Sequence, residues 1–223
     1  MPTPPPTRGV IFDLDGTLLD SIDDLADSMN ATLAALRHPA RTIAEYKTFV
    51  GDGVAELVRR ALPEDARDEA LVQDALRHMR AEYAERWDHK TRPYPGIPEL
   101  LDALAARGLR LAVLTNKLHD FALKVVERLL PADRFDVVLG ETDSLPRKPD
   151  PAGALHIARK LDIAPEAFAY LGDTDTDMRT AMAAGMFPIG VLWGFRGAEE
   201  LRKNGARALI ERPGELMNLL PPA

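Results

Sequence analysis

Two carboxylates one residue apart, Asp13 and Asp15, stand directly after the apolar run Val10-Ile11-Phe12. Such a run has the composition of a strand buried on both faces. Charges cannot sit in the middle of that strand without partners, so the pair emerges at its carboxyl end. In an open α/β sheet, this end is where ligands bind. Two carboxylates held close repel each other, and a bound divalent cation relieves the repulsion. Mg²⁺ fits such a pair best, because it takes hard oxygen ligands and commonly completes its shell with phosphate oxygens. Gly16 supplies the sharp exit from the pair.

Three later stretches carry what that pair lacks. Thr115 and Asn116 close a second apolar run and offer a hydroxyl, an amide and backbone N–H groups, the donors that hold phosphoryl oxygens. Lys148 precedes Pro149, which keeps it extended and fixes its direction. An ammonium there can neutralise a phosphate and restrain a nearby nucleophile. Asp173 and Asp177 lie in Gly172-Asp173-Thr174-Asp175-Thr176-Asp177, after another apolar run. A calcium loop of the EF-hand kind would need Gly at the sixth position and Glu at the twelfth. Met178 and Ala184 occupy those positions, so that reading fails. The five histidines are scattered as surface or loop residues, without paired metal-ligand spacing, and no P-loop, GxGxxG or GxSxG motif is present.

The elements that must position these residues alternate in type. Strands are expected near 9–12, 109–114, 135–139, 168–171, 188–192 and 208–210, with helices between them, the pattern of a doubly wound parallel sheet. From Ile22 to about Trp87 the apolar residues instead recur at helical spacing, with Asp20 or Ser21 able to cap the first helix. About 65 residues of helix inserted after the first strand should form a separate small bundle. The expected division is a Pro-rich disordered leader over residues 1–8, an α/β core over 9–20 and 93–223, and a helical domain over 21–92.

The 223 residues are 46% hydrophobic and 28% charged, with a formal net charge of −7. That balance opposes association with nucleic acid or an anionic membrane, and an anionic substrate must find local positive charge. The absence of cysteine removes disulfides, thiolate catalysis and Cys-ligated metals. No apolar run approaches the ~20 residues of a membrane span, and the first residues lack the form of a secretory signal. A cytoplasmic monomer or homodimer is expected.

Asp13 to Ser21, DLDGTLLDS, resembles the first signature of the haloacid-dehalogenase superfamily. The strand-ending Thr115-Asn116, Lys148 within RKPDP and the GDTDTD run resemble its other three motifs, in the same order. The resemblance implies a Rossmann-like core with an inserted helical C1 cap. It also implies Asp13 as a nucleophile that forms an aspartyl-phosphate, and Asp15 as the general acid/base. Mg²⁺ would be held by the Asp13 carboxylate, the Asp15 backbone carbonyl and Asp173, with Asp177 steadying Lys148 or serving the metal through water. Thr115, Asn116 and Lys148 would bind the transferred phosphoryl group. Relatives that cleave carbon–halogen or carbon–phosphorus bonds lack an acid at the Asp15 position, so its presence favours phosphate esters.

Within the inserted helices, Phe49 to Val54 resembles the cap loop of bacterial phosphoglycolate phosphatases. Gly51 and Gly53 would let backbone N–H groups approach a small anion, with Lys47, Arg59 and Arg60 as nearby cations. The expected activity is Mg²⁺-dependent hydrolysis of a small phosphorylated metabolite such as 2-phosphoglycolate. A β-phosphoglucomutase-like phosphotransferase, a pyrophosphatase or a nucleotidase would share these motifs. The non-enzymatic alternative, a phosphoryl-binding regulatory domain, is opposed by Asp15 and by the helical insertion.

Overall fold

The computed structural model describes residues 4–221. Of these, the residues up to Leu19 and from Pro93 onward form one compact unit, and Asp20–Arg92 form a second. The expected leader differs from what is observed at its inner end. Residues 1–3 lie outside the described residues, but the Arg8 N–H donates to Ala167 O at 2.9 Å, and Arg8 O accepts from the Arg110 N–H at 3.0 Å. The ordered ladder therefore already includes Arg8. Among the described residues, no helix is long and apolar enough to cross a membrane.

Strand β1, Gly9–Phe12, is buried at every position. The chain leaves the first unit through β2 (Leu19–Asp20) and enters four helices: α1 (Ile22–Ala35), α2 (Ile43–Phe49), α3 (Val54–Ala61) and α4 (Glu69–Arg86). It returns through β3 (Arg92–Pro93), which pairs with β2. The helical unit closes on Leu25, Met29 and Leu33 of α1, Tyr46 of α2, Leu57 and Val58 of α3, and Val72, Leu76 and Met79 of α4, all buried. Its helix starts are set by sequence. Thr42 and Glu45 form a capping box on α2, and the Asp68 side chain accepts from the Leu71 N–H at the start of α4. Ser21 occupies the N-cap position of α1 but makes no side-chain capping bond. Asp24, 1% exposed, instead ties α1 to the returning chain, accepting from the Thr91 N–H at 2.8 Å and the Thr91 hydroxyl at 2.7 Å.

The first unit then builds α5 (Ile97–Ala106), β4 (Arg110–Leu118), α6 (His119–Leu129), β5 (Val137–Glu141), α7 (Ala152–Leu161), β6 (Phe168–Gly172), α8 (Asp175–Ala183), β7 (Phe187–Val191), α9 (Ala198–Lys203), β8 (Ala208–Ile210) and α10 (Glu215–Leu219). Its six strands are ordered β5-β4-β1-β6-β7-β8, and every adjacent pair is parallel. This is the doubly wound sheet that alternating strands and helices require. On one face, Ile11, Leu114, Leu139, Phe168 and Tyr170 pack with Ala154, Ile157 and Ala158 of α7. Small residues on α7 let it lie close, and a Cβ at Gly153 would come within 2.9 Å of Leu114 Cδ1.

Strand β4 does not end at Leu114 as the apolar run suggests. Its pairing with β5 shifts register between Leu114 and Leu118 and resumes at Leu118 opposite Glu141. Such irregularities re-aim side chains beside functional sites, and here the polar Thr115, Asn116 and Lys117 fall within one.

Candidate active site

The strand order explains why distant residues meet. Strand β1 is central, with β4 on one side and β6 on the other, and Phe12 is level with Val113 and with Leu171. The Asp13 N–H continues the ladder by donating to Leu171 O. Asp13 and Asp173 therefore leave the sheet at its carboxyl edge, level with Thr115 in the register shift of β4.

There the Lys148 ammonium lies 2.7 Å from Asp13 Oδ1 and 2.7 Å from Asp177 Oδ1, in a triad with almost no solvent exposure. Lys148 is aimed from the main chain. Its N–H donates to Asn116 Oδ1 at 2.9 Å, and its carbonyl accepts from Asn116 Nδ2 at 3.1 Å. Asn116, expected to hold phosphoryl oxygens, thus uses its side-chain amide to fix the lysine backbone. Asp177 is held equally firmly. Its Oδ2 accepts the Thr174 hydroxyl at 2.6 Å and the Thr174 N–H at 3.1 Å, in the capping box that starts α8. The Tyr170 hydroxyl donates to Oδ1 from 3.4 Å.

Asp173 is fully buried and takes its orientation from two other segments. The Thr17 hydroxyl donates to Oδ1 at 3.0 Å and the Phe195 N–H to Oδ2 at 2.8 Å. Two glycines leave it room: a Cβ at Gly16 would lie 2.3 Å from Asp173 Oδ2, and one at Gly194 would lie 2.3 Å from Asp173 Cβ. Gly16 also has φ +88°, which L-residues rarely adopt. The Trp193 indole N–H donates to Thr17 O at 3.0 Å, bracing the loop that carries the hydroxyl.

Asp13, Asp173 and Asp177 each offer a carboxylate oxygen within 4.8 Å of the others. Three buried carboxylates around one ammonium carry surplus negative charge, which is expensive where solvent exposure is nearly nil. The protonation behaviour registers that surplus. Burial, reinforced by Asp177, raises the Asp13 carboxyl to about 7 despite the ammonium beside it. Burial, with Asp13 and Asp177, pushes Asp173 well above the ordinary carboxylate range, against the pull of the Phe195 N–H and the Thr17 hydroxyl. Burial works against the charge on Lys148, but Asp13 and Asp177 outweigh it and hold the ammonium well above its usual range. A hard divalent cation among these oxygens would remove the surplus, and the donor set suits one.

Asp15, expected to serve the metal through its backbone carbonyl, lies outside that carboxylate cluster. Its Oδ2 stands 3.0 Å from Lys117 Nζ. Thr115, two residues before Lys117, is buried, and its hydroxyl accepts the Lys117 N–H at 3.2 Å. Gly51 and Gly53 belong to the helical unit, between α2 and α3, with φ +132° and +89°. Arg60 folds that loop, donating to Phe49 O at 3.0 Å and to Asp52 at 2.5 Å. Arg59 pairs with Glu69, while Lys47 makes no ion pair among the described residues. Sequence reasoning missed Lys117, Thr17, Tyr170 and the Trp193–Phe195 segment. Only Lys117 had a visible signal, standing two residues after Thr115 and so on the same side of an extended strand.

Comparison with known proteins agrees with this geometry. The family model for haloacid dehalogenase-like hydrolases matches residues 10–191. A phosphoglycolate phosphatase from Chromobacterium violaceum is 37% identical over 217 residues, covering 96% of each chain. One from Nitrosospira multiformis is 34% identical and covers 97% of each. A crystal structure from Lactobacillus delbrueckii subsp. bulgaricus superposes with a TM-score of 0.90 at 30% identity, covering 96% of this chain and 98% of that one. The order of the four motifs along the chain, their meeting at one sheet edge and these likenesses lead to one conclusion: the chain belongs to the haloacid dehalogenase-like hydrolases, on the branch that resembles phosphoglycolate phosphatases.

Proposed function

We propose that the protein is a Mg²⁺-dependent phosphatase that hydrolyses a small phosphorylated metabolite, 2-phosphoglycolate, through an aspartyl-phosphate intermediate. The observation that carries this reading is the Asp13 carboxylate, buried at the mouth of the central strand and held 2.7 Å from Lys148 Nζ. A carboxylate is a weak nucleophile that a phosphate dianion repels, and the ammonium beside it offsets that repulsion.

Asp13 attacks phosphorus, the ester P–O bond breaks, and Asp15 delivers a proton to the departing alkoxide. Asp15, now a carboxylate, removes a proton from water as the water attacks the same phosphorus. The Asp13–phosphorus bond breaks, releasing inorganic phosphate and restoring the Asp13 carboxylate and the Asp15 acid. Lys148, positioned by Asn116 and Asp177, balances charge on the phosphoryl oxygens throughout. Thr115 and backbone N–H groups at the end of β4 supply further donors. Asp13 and Asp173, with Asp177 close by, would hold Mg²⁺, which when bound supplies Lewis-acid neutralisation of phosphoryl charge. Substrate choice by 2-phosphoglycolate rests on the likeness to phosphoglycolate phosphatases over nearly the whole chain.

The test is a comparison of kcat/KM with Mg²⁺ for phosphoglycolate, hexose phosphates, pyrophosphate and nucleoside monophosphates. Phosphoglycolate should lead the panel, and Asp13→Asn should abolish turnover with an unchanged circular dichroism spectrum. Release of phosphate from none of the panel, or substantial turnover by Asp13→Asn, would overturn the reading.

A further inference from the structure

Lys117 has no role in the mechanism above, yet the fold shelters it against the general acid. Its Nζ lies 3.0 Å from Asp15 Oδ2, and the two side chains expose 9% and 14% of their surface. The Phe121 ring, in the first turn of α6, stands 5.6 Å from the ammonium. The backbone is arranged for this placement. Residues 115–117 fall in the register shift of β4, and a Cβ at Gly140 of β5 would come within 2.5 Å of Lys117 O. Only glycine lets the neighbouring strand approach the segment that carries the lysine. A sheltered ion pair is weak evidence for a stabilising role, since desolvation offsets much of its attraction.

We propose that Lys117 recognises a carboxylate on the leaving alcohol of the substrate. The inference rests on the proposed hydrolysis of 2-phosphoglycolate and deepens it. If Asp15 protonates the leaving oxygen, its carboxyl lies within about 2.6–3.2 Å of that atom. In a two-carbon α-hydroxy acid the carboxylate carbon is only two bonds from the same oxygen, so a cation touching Asp15 is within reach of that carboxylate. An ammonium has three donors, enough to serve Asp15 and a second carboxylate together. The charges point the same way. Lys148 is committed to Asp13 and Asp177, so a substrate with negative charge at both ends needs another cation beside its leaving group. A neutral alcohol would make no use of Lys117.

The test measures kcat/KM of the Mg²⁺-loaded enzyme for 2-phosphoglycolate and for 2-hydroxyethyl phosphate, which has the same length and no carboxylate. Wild type, Lys117→Met and Lys117→Arg are compared, with thermal unfolding as a check of folding. Wild type should favour phosphoglycolate, and Lys117→Met should lower the ratio of the two constants by about 10- to 100-fold, the range for a charge-assisted hydrogen bond. The change should fall mainly on KM, and Lys117→Arg should recover part of it. An equal loss on both substrates would mean that Lys117 only positions Asp15 or supports the fold, and would overturn the inference, as would an unchanged ratio. A wild type without preference for phosphoglycolate would overturn the substrate reading and this inference together, and that result is visible before any variant is made.

Discussion

Without metal, the protein should lose stability as pH rises from about 5.5 to 8, and Mg²⁺ should restore most of the loss. The perturbed group is Asp13, raised by burial and then by Asp177 from 3.8 to about 7. Between those values the folded chain holds a proton that the unfolded chain has released. The free energy of unfolding therefore falls as pH rises. The contribution is fully present below 3.8 and lost above about 7. A gap of this size corresponds to about 4 kcal/mol in all, of which roughly 2 kcal/mol falls between pH 5.5 and 8, or about 6 °C in Tm for a chain of this length. Asp173, also raised by burial first, acts with the same sign. Lys148 is raised above its ordinary 10.5, so its linkage lies above this window. Glu45 and Glu69 are lowered, chiefly by hydrogen bonds from Thr42 and Gln73 respectively, and they titrate below the window. The assay is thermal unfolding followed by circular dichroism, in chelator and in Mg²⁺, across pH 5.5 to 8. Because the cation replaces the proton, its stabilising effect should be larger at pH 8 than at pH 5.5. A metal-free Tm that rises with pH, or a Mg²⁺ shift of equal size at both ends, would refute the reasoning.

Two further perturbations follow from the site. Lys148→Met leaves the Asp13 and Asp177 carboxylates buried without their shared ammonium. It should cost about 3–5 kcal/mol in urea unfolding without metal, and adding Asp177→Asn should lessen the loss. A cost below about 1 kcal/mol, the level of a surface ion pair, would show the triad to be hydrated rather than sheltered. Gly16→Ala forces a Cβ to within 2.3 Å of Asp173 Oδ2 at a φ of +88°. It should weaken Mg²⁺ binding by about tenfold or more in calorimetric titration, and an unchanged titration would contradict the assigned orientation of Asp173.

Much of the architecture was legible because its signals are local. Val10 to Phe12 reads as a buried strand from composition alone, and all of its residues are buried. The apolar stripe Leu25, Met29 and Leu33 reads as a helix from spacing, and those side chains close the helical unit. Where reading failed, the cause was non-local. Strand β4 was expected to stop at Leu114 because polarity begins at Thr115, yet pairing with β5 carries it to Leu118. Arg8 was grouped with the prolines before it, yet backbone bonds to Ala167 and Arg110 draw it into the ladder. The partner of the Asn116 side-chain amide was equally invisible in sequence: it bonds the Lys148 main chain, 32 residues away.

By itself, the sequence determined which chemical groups the chain can bring to a reaction: acids after an apolar run, a lysine before a proline, glycines where the backbone must turn. Type and spacing are properties of neighbours along the chain, and hydrophobic periodicity turns them into strands and helices. The tertiary structure alone decided which partner each group takes. Asp13 faces Lys148 and Asp177, while Asp15, two residues on, faces Lys117. Both residues lie past the end of β1, where strand alternation no longer sets direction, and only the order β4-β1-β6 fixes what each one meets.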